Sequence, residues 1–490
     1  MFIDNLKDEL NVSVTENGAL GYATTGKELV DFNFKVSSMR DWPEEKIRRE
    51  FKKVWYENKE LALKYLFYAR DIREGLGERR LFREIFKEIV DEPGVKNNIS
   101  LLKLIPEFGR WDDLVSLLWI NTDLTRDIVN IIRDQMVSDI DGCLNERPIS
   151  LMAKWLPSIN TSSEKTKENA KKLIKELGVS TATYRKTLSR LRKYLNVLER
   201  KLCANEWNEV NYETVPSNAN LKYKDAFLKH DENRRKEYLE SLEKGEVKIN
   251  GSVLFPHDIV HKYDLSHKDQ ALEALWKDLP NYVDGESNIL VVRDGSGSMA
   301  WSPLGRDILP LDVATSLAIY FSERCEGQFK DNFITFSSTP QLVSLANYEK
   351  LRDKLIECNE YDDCSNTDLK ATFDLVLKVA IKNNLKQEEI PNLLIISDME
   401  FDGIHLEDKL FESIRKKFNK AGYQLPKLIF WNVASRTNTI PLTQNKNGVV
   451  LVSGFSPSVV KMVLSKELDP YKAIVKEITK DRYKDIKLGE

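Results

Sequence analysis

Ile289-Leu290-Val291-Val292-Arg293-Asp294-Gly295-Ser296-Gly297-Ser298-Met299 is the stretch on which the reading of this chain turns. An apolar run drives straight into Asp-x-Ser-x-Ser, and a helix-like segment follows at about 310–325. A carboxylate and two hydroxyls spaced two residues apart at the end of a buried strand can converge on one hard cation. Oxygen ligands of that kind suit Mg2+ or Mn2+ rather than zinc. Alone, Asp-Gly-Ser-Gly-Ser reads better as a flexible turn; two pieces downstream reverse that.

The first is Ser365-Asn366-Thr367-Asp368, which opens a helix-like run over 369–380 and lets Thr367 present its hydroxyl from a loop. The second is Leu393-Leu394-Ile395-Ile396-Ser397-Asp398, another apolar strand ending in a carboxylate. Open α/β sheets gather ligands at the carboxyl ends of parallel strands. On these residues the region resembles a von Willebrand factor A (vWA) domain with a metal-ion-dependent adhesion site. The resemblance implies that Ser296 and Ser298 bind Mg2+ or Mn2+ directly, and that Asp294, Thr367 and Asp398 bind it directly or through water. One position would stay open for an acidic group of a partner. Gly295 departs from the family, where an apolar residue is common.

Strands at 287–294, 330–337, 341–345, 392–397, 427–434 and 448–453, alternating with helices at 310–325, 347–357, 368–383, 406–421 and 456–465, predict a doubly wound, Rossmann-like parallel sheet over 286–466. Leu425-Pro426-Lys427 leads into the strand that ends at Trp431-Asn432, and Asn432 is expected to cap a turn rather than line the site.

Upstream, from about Pro43, apolar residues fall at three- and four-residue spacing with short Gly- or Pro-marked connections. That pattern predicts antiparallel helix pairs stacked as HEAT-like repeats over 41–285, although no sequence repeat is evident. A polar segment, 1–40, is expected to pack on the repeats, and 467–490 to form a C-terminal helix or tail. The fold class is therefore α + α/β.

Several phrases in this half resemble the Ro (TROVE) proteins and, more closely, related phage, bacterial and plant proteins of unknown function. They are Arg70-Asp71-Ile72-Arg73-Glu74-Gly75-Leu76-Gly77, Phe108-Gly109-Arg110-Trp111-Asp112-Asp113, Leu151-Met152-Ala153-Lys154-Trp155-Leu156-Pro157, Val215-Pro216-Ser217-Asn218-Ala219 and Asn250-Gly251-Ser252-Val253-Leu254-Phe255-Pro256-His257. The resemblance implies a ring of helical repeats closed by the vWA domain and binding small structured or single-stranded RNA.

Local charge supports that expectation. The chain has a net charge of −3, but residues 151–200 hold 12 basic and 4 acidic side chains. Within them Tyr184, Arg185, Lys186, Arg190, Arg192 and Lys193 set cations beside an aromatic ring, the combination that meets phosphates and unpaired bases.

Other signals are weaker. Gly21 and Gly26-Lys27 fit the frame of a phosphate-binding loop, yet Glu28 stands where a Ser or Thr must hold Mg2+ and no strand leads in. His257 and His261 lie four apart, but Asp258 replaces the Glu of the zinc-protease motif and no third ligand follows. Cys143, Cys203, Cys325, Cys358 and Cys364 are scattered and odd in number, which argues for reduced thiols. The first ten residues lack a signal-peptide pattern and no apolar run is long enough to span a bilayer, so a cytoplasmic monomer with no membrane contact is expected. Because Ser and Thr fill three of the five ligand positions, the site lacks the carboxylates of a two-metal hydrolase, and no enzyme is expected. The competing reading is a structural or protein-interaction scaffold, phage- or virion-associated, that uses the metal site without RNA.

Overall fold

The computed structural model describes residues 11–283, 288–301, 308–362, 367–402, 410–456, 459–464 and 467–489. It divides into a sheet unit (1–62, 216–222 and 249–480) and a helical unit (63–215, 223–248 and 481–490).

The sheet unit opens with a small hairpin, β1 (Ser13–Val14) and β2 (Leu20–Gly21). Its main sheet contains β3 (Ile289–Asp294), β4 (Asn332–Phe336), β5 (Leu342–Ser344), β6 (Asn392–Ser397), β7 (Leu428–Asn432) and β8 (Val449–Ser453), in the order β5-β4-β3-β6-β7-β8. All residues of β3, β7 and β8 are buried, as continuous apolar strands covered on both faces must be. The sheet is mixed rather than wholly parallel, because β5 runs antiparallel to β4. Only five residues, 337–341, join them, which suffices for a hairpin but not for a crossover.

From β3 the chain moves to β4 on one side and later returns to β6 on the other. The crevice at the carboxyl ends of β3 and β6 is therefore the switch point of the sheet, where open α/β folds place ligands. Asp294 ends β3, and Asp398 follows the last residue of β6.

The described N-terminal segment, 11–40, belongs to the sheet unit, together with the first of the helices expected to form the repeats. Asn33 Nδ2 donates to Leu451 O (3.1 Å), Asn432 Nδ2 donates to Phe34 O (2.7 Å), and Ser37 N donates to Ser453 Oγ (2.9 Å). The reason is composition: in helix Glu28–Lys35, Leu29, Val30, Phe32 and Phe34 are all buried, together with Asp31 and Asn33, so this helix is enclosed between layers. Helix Glu44–Glu57 packs beside it through Phe51 on Phe32, with ring centroids 5.5 Å apart, and joins the same unit.

In the helical unit, the Arg-Asp and Trp-Asp-Asp phrases form buried ion networks. Arg70 donates through Nε and Nη2 to Asp113 Oδ2 (2.9 and 2.7 Å), and Arg83 Nε donates to Asp113 Oδ1 (2.6 Å). A Cβ on Gly109 would stand 2.5 Å from Asp113 Oδ2, so glycine is required there. Asp71 is equally enclosed, by Arg482 and Tyr483. Among the described residues no helix is long and apolar enough to cross a membrane.

Candidate metal centre

Asp294 and Asp398 are 0% and 2% exposed, on adjacent strand ends. Ser397 Oγ donates to Asp294 Oδ2 (2.5 Å), and Ser296 N donates to Asp294 Oδ1 (2.9 Å), closing the Asp-Gly-Ser turn on its own carboxylate. Ser296 Oγ and Ser298 Oγ lie 3.0 Å apart, and the Ser298 hydroxyl interacts with Asp398. These four side chains therefore meet at the carboxyl ends of β3 and β6.

Thr367 precedes helix Leu369–Lys382 and is 3% exposed, its hydroxyl buried without a hydrogen bond of ordinary length. Burial raises the nearby Asp402 carboxyl, an effect opposed by its interaction with Thr367. Ser365 and Asn366 lie outside the described residues.

The electrostatics suit a cation. Burial pushes the Asp398 carboxyl up to about 7, with the Asp294 charge adding to the effect, and burial raises Asp294 as well. Two buried carboxylates, with the charge of Asp294 raising Asp398, leave a negative hole, and the hydroxyls of Ser296 and Ser298 supply hard neutral oxygens beside it, whereas the described partner of Thr367 is Asp402. The residues fit Mg2+ or Mn2+. Among the described residues no group of three or more His, Cys, Asp and Glu side chains is placed to hold a metal ion, and three of the five residues of the expected donor set carry hydroxyls instead.

Long-range partners of this site carry no signal in sequence spacing. Glu400, 1% exposed, accepts from the backbone N–H groups of Glu16 (2.7 Å), Arg436 (2.7 Å) and Thr437 (2.8 Å), and from the Ser435 and Thr437 hydroxyls. A carboxylate so saturated is an anchor rather than a general base. It holds the loop that carries Arg436, whose Nη2 donates to Asp398 Oδ2 (3.3 Å) and whose Nε pairs with Glu16 Oε2 at 2.6 Å. Arg293 lies behind the site, its guanidinium on Asp362 (2.6 Å) and Thr315 (2.8 Å). Asn432 caps the following turn, its Oδ1 accepting from Ala434 N and Ser435 N.

The basic segment separates into two groups. Helix Thr181–Tyr194 starts on Ser180, whose Oγ accepts from Thr183 N, and buries Tyr184, Leu188 and Leu191. Tyr184 donates its hydroxyl to Pro157 O (2.9 Å), and Arg192 donates to Ala153 O (2.7 Å), Ser158 Oγ (2.7 Å) and Leu156 O (2.9 Å). Those two residues are corrected from RNA contacts to packing: the helix period turns them toward the helical unit. Arg185, Lys186, Arg190 and Lys193 are exposed, and Lys186, Arg190 and Lys193 recur at i, i+4 and i+7 along one face.

The two weak motifs serve packing. Gly21 has no room for a Cβ, which would lie 2.7 Å from Ile440 O, while Thr25 donates through N and Oγ1 to Asp31. His257 is buried against Phe455 (5.0 Å between centroids) and lowered to about 4 by that burial, whereas His261 Nδ1 meets Asp312 Oδ2 at 3.0 Å.

Two family models match the chain, both described as domains of unknown function: DUF2828 over residues 15–125 and 160–289, and DUF7788 over 288–487. The uncharacterized protein L728 of Acanthamoeba polyphaga mimivirus is 30% identical over 506 residues, spanning 93% of this chain and 85% of the relative. The chain belongs to the family of that viral protein.

Proposed function

We propose that this member of the family is a binding protein, not an enzyme, whose sheet unit is a vWA-like domain that docks an acidic ligand through Mg2+ or Mn2+. The observation that carries the reading is the meeting of buried Asp294 and Asp398 with the Ser296 and Ser298 hydroxyls at the switch point of the sheet. Asp294, Ser296, Ser298, Thr367 and Asp398 would hold the ion. When bound, the ion supplies positive charge for an oxyanion of the partner. The chain's own residues do the rest: Ser397 fixes the Asp294 carboxylate, and Glu400 fixes the neighbouring loop. Glu400, engaged by the N–H groups of Glu16, Arg436 and Thr437, serves as an anchor of that loop.

The direct test is titration of the full chain with MgCl2 or MnCl2, followed by calorimetry and thermal unfolding. Micromolar to millimolar binding that disappears in Ser296→Ala/Ser298→Ala supports the reading; equal behaviour of the two proteins, or unfolding unmoved by EDTA, rejects it.

A second reading, Ro-like binding of small structured or single-stranded RNA by the helical unit, is favoured by one observation. Arg185, Lys186, Arg190 and Lys193 are exposed cations with no ion pair among the described residues. Purified native protein should then carry nuclease-sensitive RNA. Protein that is free of RNA and fails to bind added single strands leaves the scaffold role, with a protein partner at the metal site.

A further inference from the structure

We propose that Arg436 is the internal counter-cation of the Asp294–Asp398 site and that it competes with a divalent ion for Asp398, with Glu16 setting how strongly. The inference rests on the metal-docking reading and extends it to what governs cation affinity.

Arg436 is rooted firmly and tipped loosely. Its backbone N–H is fixed on Glu400 Oε1 at 2.7 Å, so the base of the side chain cannot drift. Its guanidinium divides between two carboxylates. One is Asp398 at 3.3 Å, a side chain 2% exposed; the other is Glu16 at 2.6 Å, a side chain 55% exposed. The contact to Asp398 is the long one, and the contact to Glu16 is short.

Charge accounting explains why the arrangement matters. Asp294 and Asp398 together bring two negative charges into a buried crevice; Arg436 returns one, and the charge of Arg293, which also acts on Asp294, is offset by Asp362. A divalent ion supplies both, so the guanidinium then becomes surplus at Asp398, and like charges a few ångströms apart repel strongly in a partly buried site. Glu16 offers Arg436 somewhere to go: it lies on the solvent side, already in contact, and its own backbone N–H is held by Glu400 Oε2 at 2.7 Å. The N-terminal segment is thereby tied to the state of the site, through the turn between β1 and β2.

The two carboxylates thus pull Arg436 in opposite directions, and their removal has opposite consequences. In Arg436→Gln the competitor is gone, so Mg2+ affinity should tighten by about ten-fold or more, the order expected for deleting one nearby charge in a partly buried site. In Glu16→Gln the guanidinium loses its alternative and settles on Asp398, so Mg2+ affinity should weaken. In Glu16→Gln/Arg436→Gln the first effect should remain and the second vanish, because Glu16 acts only through the arginine. Arg436→Lys keeps the charge and should stay near wild type.

The experiment is calorimetric titration of the full chain and these variants with MgCl2 alone, with Asp398→Asn as the reference for binding at the site. Opposite shifts for Arg436→Gln and Glu16→Gln, with the Glu16 effect lost in the double variant, are the expected result. Unchanged or weaker binding in Arg436→Gln, or a Glu16→Gln effect that persists without the arginine, overturns the proposal while leaving the metal site standing. If wild type and Asp398→Asn titrate alike, the metal reading itself falls, and this inference with it. Should Arg436→Gln fold poorly, Arg436→Lys against Glu16→Gln gives the same contrast at retained charge: a weakened Glu16→Gln beside a wild-type-like lysine variant supports competition, and equal affinities refute it.

Discussion

Asp113 in the helical unit and Asp398 in the sheet unit are both buried, at 0% and 2% exposure, and their surroundings are opposite in kind. Asp113 receives Arg70 twice, Arg83 once and the Arg110 N–H (2.9 Å), so both of its oxygens are engaged by short bonds. Asp398 faces another carboxylate and has one guanidinium at 3.3 Å. A buried charge that is saturated by its own chain builds structure. One left short of positive charge is a standing cost that a ligand can relieve, which is why such groups gather at functional sites. The phrases around Arg70 and Asp113 therefore mark the architecture of the helical unit.

The sharpest way to break this contrast is to neutralise each aspartate. Asp113→Ala strands Arg70, which is 2% exposed, and should cost about 3–5 kcal/mol in denaturant unfolding. Asp398→Asn should cost far less without divalent ions, or add stability, since it removes one of two repelling charges. Equal losses would erase the distinction.

Next in size is the response to cation. In wild type, Mg2+ at about a hundred times its dissociation constant should stabilise the sheet unit by roughly 2.7 kcal/mol. The gain should be absent from Asp398→Asn and unaltered in variants of the Asp113 network that still fold. Denaturation in MgCl2 against EDTA reads it directly.

The pH profile sharpens the contrast further. With its carboxyl raised to about 7, folded Asp398 holds a proton that the unfolded chain releases near the ordinary carboxylate value of 3.8. The folded state binds more protons across that window, so its contribution to stability falls as pH rises from about 4 to 7. His257 works in the other direction. Lowered from 6.5 to about 4, it is neutral when folded, so its contribution rises with pH across that interval and is lost as pH falls. Measured without divalent ions, Asp398→Asn and His257→Gln should change the pH slope with opposite signs; slopes that shift together would show that one of the two burials is misassigned.

The smallest effects belong to the basic helix. Arg192→Gln should cost about 1–3 kcal/mol, because three acceptors, two of them carbonyls of buried residues, lose their donor. Lys186→Gln, Arg190→Gln and Lys193→Gln should each change stability by less than about 0.5 kcal/mol. If RNA binds here, each lowers the slope of log affinity against log salt by nearly one, and Arg192→Gln leaves that slope alone.

Much of the sheet unit is legible in the sequence. Runs such as Ile289–Val292 and Leu393–Ile396 are strands because continuous apolar residues of that length suit strands buried on both faces, and Asp294 and Asp398 stand at their ends because polarity terminates such runs. Ser296 and Ser298 were equally visible, being part of the same local turn. The antiparallel β5 was misjudged because strand direction depends on the length of a loop, not on the pattern within the strand. Tyr184 and Arg192 were misjudged because a cation and a ring look alike whether they face solvent or the carbonyls of a neighbouring segment.

By itself, then, the sequence determined the elements and the local turns, since periodicity and spacing are properties of neighbours along the chain. It determined the α + α/β class and set the two aspartates at strand ends. Only the tertiary structure decided which polar groups are satisfied. Glu400 gathers donors from residues 16 and 435–437, Arg436 reaches Asp398, and Asn33 reaches Leu451, each across distances in sequence that no pattern encodes. Whether a buried charge is satisfied depends on partners from remote segments, and folding alone brings those together.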